Sequence, residues 1–163
     1  MKKKDRLSVP VTVSFEGKRK QFLKHLIEQN NFKTMIEVGI DTGKTTFFLL
    51  DNIPDLTIYA VDKDINKFYT DDVKERYRER LIPLQGLSHI VADKIKDSIA
   101  DLIFIDADHS YESVKKDIEK YSPKLKIGGL LTGHDIDYPG VNRAVTEVIK
   151  NFDVGPNYVW IKR

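Results

Sequence analysis

The sequence predicts an α/β domain in which a mainly parallel sheet lies between helices, and three observations predict it. From Thr34 onward, short β-branched or aliphatic runs alternate with amphipathic helical segments, the order that produces parallel strands covered on both faces. Each of the first five runs is followed directly by a glycine, an acid or a histidine, so polar turns recur at one rim of the expected sheet. Near the C-terminus, Gly155-Pro156-Asn157 separates two last short runs, a hairpin signal that adds an antiparallel strand.

The elements follow in order. Phe15 to Asn31 reads as a helix, with Phe22, Leu23, Leu26 and Ile27 on one face and Lys18, Lys20, Lys24 and Glu28 away from it. Thr34–Val38 is a strand expected at the centre of the sheet, and Lys44–Leu50 is the helix after its glycine turn. Leu56–Val61 is a β-branched and aromatic strand, and Ile65–Arg80 is charged and helical. Leu81–Gln85 is a strand whose Pro83 lacks an amide donor, which places it at the sheet edge. Ser88–Ile99 suits a helix, Asp101–Ile105 a buried strand, and Ser110–Tyr121 a helix capped by its serine. Gly128–Thr132, Val141–Lys150, Phe152–Val154 and Tyr158–Ile161 complete the alternation as strand, helix and hairpin.

Length and composition narrow the class. The 163 residues fit one domain, residues 1–163, with 1–14 expected as a flexible basic segment. No apolar run approaches the roughly 20 residues of a membrane span, and no hydrophobic stretch follows the basic N-terminus. Without cysteine there are no disulfides, thiolate metal sites or cysteine nucleophiles, which fits a cytoplasmic protein. The net charge of +2 gives no general case for nucleic-acid binding. Two local basic runs, Lys18-Arg19-Lys20 with Lys24 and Lys74 to Arg80, read as solvated helix faces.

The rim carries the chemistry, because ligands of such sheets bind beyond the carboxyl ends of the strands. After the first strand stand Glu37, Gly39, Ile40 and Gly43, where glycines allow a tight turn and the next helix presents free amides. After the second come Asp62 and Lys63, and Asp62 lies 23 positions beyond Gly39, about where an acid holds ribose hydroxyls. The third is followed by Gly86-Leu87-Ser88, the fourth by Asp106-Ala107-Asp108-His109, and the fifth by Gly133-His134-Asp135.

A nucleotide-phosphate loop is the nearest rival, since Gly43-Lys44-Thr45 resembles its end. That loop needs a glycine five positions before its Gly-Lys pair, where this chain has Val38; Gly39 leaves it one residue short. Glu37 beside the turn would also repel a triphosphate. The G-x-G-x-x-G of a nicotinamide site is absent.

The pattern E-x-G-x-x-x-G followed by Thr45-Thr46, with a strand ending in Val61-Asp62, resembles class I S-adenosylmethionine methyltransferases. The segments Phe104 to Glu112, Gly128 to Asp135 and Tyr138 to Val145 resemble most the catechol-type O-methyltransferase branch and its small bacterial relatives. The resemblance covers roughly residues 34 to 148. It implies a Rossmann-like three-layer sandwich with a seven-stranded sheet and an antiparallel last strand. It implies that Glu37, Gly39 and Gly43 line the methionine part of the cofactor and that Asp62 holds the ribose, with Ile40 and Lys63 also in the cofactor site. Gly86, Leu87 and Ser88 would meet the adenine, and Asp106 the cofactor amine or a metal.

The departures from that branch concern the acceptor. Metal-dependent members offer an acid pair or Asp-Asn after the fifth strand, where this chain has His134-Asp135; Asp106, His134 and Asp135 are the sensible metal trio, and a histidine moves its preference away from Mg²⁺ or Ca²⁺. A divalent metal is therefore not favoured. The lysine that often acts as general base is His109 here, and histidine suits the role because it titrates near neutrality. His109, His134 and Asp135 are the catalytic candidates. The expected reaction is methyl transfer to an oxygen or nitrogen of a small-molecule acceptor; a non-catalytic cofactor-binding or partner subunit is the alternative. No insertion is large enough for a lid, so the acceptor pocket falls to residues 1–20, the Tyr69 region, the Ile136–Gly140 loop, or a second copy in a homodimer.

Overall fold

The computed structural model describes residues 19–162. Seven strands form one sheet: β1 (Thr34–Val38), β2 (Thr57–Asp62), β3 (Leu81–Gln85), β4 (Ala100–Ile105), β5 (Leu125–Gly133), β6 (Phe152–Val154) and β7 (Trp160–Lys162). Their order across the sheet is β3-β2-β1-β4-β5-β7-β6. All pairings from β3 to β5 are parallel, and β7 runs antiparallel to both β5 and β6. The order reverses between β1 and β4, so the crevice of such a fold opens above these two strands.

The strands' period of two divides the core. Met35, Ile58, Ala60, Leu102 and Phe104 face one layer, where α1 (Arg19–Gln29) contributes Phe22, Leu23, Leu26 and Ile27 and α2 (Lys44–Asn52) contributes Leu49 and Leu50. Ile36, Val38, Val61, Ile103 and Ile105 face the other. There α4 (Ser88–Val91), α5 (Tyr111–Tyr121) and α6 (Pro139–Val148) bring Val91, Val114, Ile118, Val141 and Val145. Strands buried on both faces read as continuous apolar runs, as Leu102–Ile105 does. Among the described residues, no helix is long and apolar enough to cross a membrane.

The expected strands are present, with β3 at the edge and Pro83 paired to Ala60 on its one covered side. Ser110 caps α5, its hydroxyl accepting from the Ser113 amide at 3.4 Å. Several boundaries differ for physical reasons. The first helix is described from Arg19, so Phe15–Lys18 and the basic segment 1–14 lie outside the described residues. The charged stretch 65–80 is not one helix: a 3-10 turn at Ile65–Lys67 breaks at Phe68, whose ring is buried, before α3 (Asp71–Tyr77). The helix from Ser88 ends by Lys94, because the Ser98 and Ile99 amides turn to the Pro123 and Lys124 carbonyls to start β4. β5 is longer than Gly128–Thr132, since Leu125 pairs with Ala100 before a bulge resets the register at Leu130 opposite Leu102.

Candidate active site

The carboxyl ends of β1 and β4 meet almost without clearance. The Asp106 amide donates to the Val38 carbonyl at 2.7 Å, and a Cβ on Gly39 would stand 2.2 Å from the Asp106 carbonyl oxygen. Gly39 also has φ +91, so its glycine serves strand contact and turn together. The turn that follows wraps a carboxylate of the chain itself. Asp62 Oδ2 accepts from the Ile40 and Asp41 amides at 2.9 and 3.0 Å, and Oδ1 accepts from the Asp64 amide at 2.9 Å. Burial alone would raise this carboxyl, but the Asp64, Asp41 and Ile40 amides and the Lys67 charge outweigh it and lower it. The amides that a phosphate loop would offer to a nucleotide are thus committed to Asp62, which disposes of that rival.

A cleft of about 530 Å³ opens on this rim. It brings together the expected Gly39, Asp62, Lys63, Gly86, Leu87, Ser88, Asp106 and His109. Glu37, Ile40, Gly43, His134 and Asp135 are not on its wall. Ile40 is buried beneath the turn and acts through its amide; Gly43, at φ +80, starts α2. Glu37 is buried and accepts from the Thr46 hydroxyl of α2 at 2.6 Å. Burial pushes its carboxyl up to about 7; the Thr46 hydrogen bond opposes this, Asp106 adds to it, and Arg19 opposes it.

Ser88 stands on the cleft, but its hydroxyl donates to Asp117 Oδ1 at 2.6 Å rather than into the open space. Asp117 is buried, which raises its carboxyl to about 6 against the lowering effect of Ser88. This acid had no sequence signal, since nothing in the α5 pattern separates it from a solvated aspartate.

At the other end of the cleft, side chains from distant elements converge. Asp135 has φ +56, a left-handed conformation that a short aspartate tolerates, and both its oxygens reach histidines. Oδ1 lies 2.8 Å from His134 Nδ1, and Oδ2 lies 2.8 Å from His109 Nε2. The His109 ring packs on Tyr138, with centroids 4.7 Å apart, so the Ile136–Gly140 loop does reach the site. That loop is pinned where a Cβ on Gly140 would stand 2.3 Å from the His109 carbonyl oxygen. Burial would lower the His134 imidazole, but its hydrogen bond to Asp106 and the Asp106 charge, with Asp135, raise it overall.

Arg19 corrects the reading of the first basic run as a solvated face. Its Nη1 donates to Asp106 Oδ2 at 2.6 Å and lies 3.1 Å from His134 Nδ1, with the guanidinium 5.9 Å from the Phe104 ring centre. Lys20 and Lys24 stay on the surface, against Phe48 and Glu28, and Lys18 lies outside the described residues. No spacing rule finds Arg19, because its partners are 87 and 115 residues away. The second run keeps Lys74, Glu75, Arg76, Arg78 and Glu79 exposed, as a solvated face does; within it Tyr77 turns inward and stacks on Phe47 at 5.5 Å, with the Arg76 and Arg80 guanidiniums over its ring.

A methyltransferase-domain family model matches residues 36–136. The chain belongs to that methyltransferase family. Solved structures share its fold. A Staphylococcus aureus protein assigned as a caffeoyl-CoA O-methyltransferase is 20% identical with a TM-score of 0.74, covering 93% of this chain and 84% of its own. Cofactor-bound Rv0187 from MTB is 15% identical at TM-score 0.69, covering 96% and 84%. The SAH-bound Podospora anserina methyltransferase PaMTH1 is 12% identical at 0.68, covering 88% and 76%. Among curated proteins, no sequence matches the chain.

Proposed function

We propose that this methyltransferase moves a methyl group from S-adenosylmethionine to an oxygen or nitrogen of a small-molecule acceptor, with His109 as the general base. The observation that carries the reading is the cleft at the β1–β4 reversal, walled by Gly39, Asp62, Ser88, Asp106 and His109 together.

The residues suit the cofactor. Of the four lone-pair positions of the Asp62 carboxylate, three accept backbone amides, which leaves one on Oδ1 for a ribose hydroxyl. Glu37, buried beside Asp106 and raised by burial, would gain a favourable charge partner in the cofactor's ammonium. The exposed Leu87 offers an apolar edge to an adenine ring. When bound, the cofactor supplies a methyl group on a positively charged sulfur that leaves as a neutral thioether, so the leaving group needs no proton.

The chain's own work is alignment and proton removal. With Nε2–H donated to Asp135, the neutral His109 ring presents Nδ1 as its acceptor nitrogen. Asp135 is held in turn by His134, so the base has a fixed tautomer and orientation. As the new bond to the methyl carbon forms, the acceptor's proton passes to His109 Nδ1. His109 is 39% exposed at its side chain, open enough to meet an acceptor from solution.

Calorimetry with S-adenosylmethionine and with its demethylated product tests the cofactor reading, and a turnover screen of small hydroxylated and amine compounds tests the acceptor class. Binding of neither cofactor form would overturn the proposal. Cofactor binding with no acceptor turned over in an exhaustive screen would favour a non-catalytic binding subunit.

A further inference from the structure

The metal trio can be tested against its own contacts. Asp106, His134 and Asp135 place their donor atoms within 4.8 Å of one another, near enough to share an ion. Each carboxylate of the trio already has a charged or ring-nitrogen partner within the chain. Asp106 Oδ2 is bound by Arg19 Nη1 at 2.6 Å, and the two oxygens of Asp135 by His134 and His109 at 2.8 Å each. A divalent cation at the trio would have to share Asp106 with the Arg19 guanidinium, whose Nη1 also stands 3.1 Å from His134 Nδ1, and compete with both histidines for Asp135. The guanidinium is not loosely placed. α1 is anchored by Phe22, Leu23, Leu26 and Ile27, each 0–1% exposed, and the charge also lies over Phe104. The donor set does not fit a resident metal.

We propose that Arg19 is the resident cation of this site: bound to Asp106 and packed against His134, it holds the place at the Asp106–His134–Asp135 trio that a divalent metal would need. This rests on reading the rim as a methyl-transfer site. Both of its polar contacts run through Nη1, and the side chain is 31% exposed, so guanidinium donors remain for an acceptor oxygen. As His109 removes the acceptor's proton, the oxygen that becomes negative meets a fixed positive charge. Methyl transfer then needs no added metal, and an acceptor bearing a negatively charged or readily ionised oxygen is preferred. Placing the cation on the first turn of α1 also couples assembly of the acceptor end to docking of that helix.

Calorimetric titration of the full chain with Mn²⁺ tests this on the wild type, Arg19→Lys and Arg19→Met, with folding followed by circular dichroism. The wild type and Arg19→Lys are expected to show no Mn²⁺ binding at millimolar metal. Arg19→Met should gain affinity by about 10–100-fold, the scale on which a ligand's neighbours tune a metal site. Adding Asp106→Asn to Arg19→Met should abolish the gain, which places it at the trio. Wild-type Mn²⁺ binding that is lost in Asp106→Asn would overturn the proposal. So would an Arg19→Met protein that folds and gains nothing, because the site would then refuse metal for another reason. If Arg19→Met does not fold, Arg19→Gln takes its place. Binding of S-adenosylhomocysteine to the wild type, measured in parallel, separates the two readings: its absence counts against the cofactor site and leaves the Mn²⁺ result intact.

Discussion

On the β1–β3 side of the rim, backbone does the holding. Three amides grip Asp62, two glycines set the turn, and the strand ends meet by a main-chain hydrogen bond. On the β4–β5 side, side chains hold one another: Arg19 to Asp106, His134 and His109 to Asp135, Tyr138 against His109. The first half depends on local geometry that a short spacing encodes. The second depends on partners far apart in the chain, each of which could be exchanged for another charged or aromatic group of similar reach. The cofactor half is therefore expected to tolerate little change anywhere in its turn. The acceptor half should respond sharply to a few side chains.

The largest expected effect tests the acceptor half. His109→Ala should lower kcat by about 10²–10⁴, the range of general-base assistance, with cofactor affinity nearly unchanged. Asp135→Asn should follow with a smaller loss, since it weakens the orientation of the base without removing it. Turnover of His109→Ala near the wild-type value per folded molecule, with only its melting temperature lowered, would make His109 a structural residue packed on Tyr138.

Next in size is a pH effect beneath the cofactor half. Glu37 is held near 7 when folded against 4.5 for its ordinary value, so the folded protein binds the proton more tightly. A carboxyl raised in this way contributes its stability below pH 4.5, and that contribution is lost as pH climbs towards 7. The difference is on the order of 3 kcal/mol at 1.36 kcal/mol per pH unit. Glu37→Gln should flatten the melting temperature of the ligand-free protein across that window. An unchanged slope would mean that Glu37 is ionised in the folded state and paired more strongly than its neighbours suggest.

These contrasts also show what could be read from the sequence. The alternation of strands and helices, the edge position of β3 and the Ser110 cap were legible because periodicity, a proline and a capping serine act locally. The cleft was legible from strand ends, for the same reason that ligands gather at the reversal of such sheets. Arg19 and Asp117 were not. A cation in a basic run and an acid in a charged helix look solvated until tertiary packing turns the one onto the rim and buries the other. The helical stretch expected over 65–80 is interrupted between Phe68 and Thr70, where Phe68 turns its ring into the core against a charged, helix-prone composition.

Asp62→Ala comes third. Losing a ribose partner should weaken cofactor binding by about 1–3 kcal/mol, measured by calorimetry. The structure adds a second consequence, because the same substitution orphans three amides and should lower the melting temperature too. Asp62→Asn, which keeps an acceptor for part of the turn, separates the two: stability should recover more than affinity. A melting temperature unaffected by Asp62→Ala would mean that the turn stands without its carboxylate.

The smallest effect on the cofactor is expected at Ser88, and it sets the sequence expectation against the structure. If the hydroxyl meets the adenine, Ser88→Ala should cost affinity on the scale of a hydrogen bond, about 1 kcal/mol. The structure directs that hydroxyl to Asp117 at 2.6 Å, so the affinity should stay within about twofold, well below that scale. The cost should fall on stability instead. Asp117 is raised to about 6 by burial while Ser88 holds it down, and its Oδ2 has no partner among the described residues. Removing the serine moves the carboxyl further up, so the folded state holds its proton to higher pH. Stability of Ser88→Ala should match the wild type most closely below pH 3.8, fall behind as pH rises through 6, and level off above its own raised value. A variant that loses affinity and keeps its melting curve would return the hydroxyl to the adenine, and would show that the cofactor half, too, depends on a side chain.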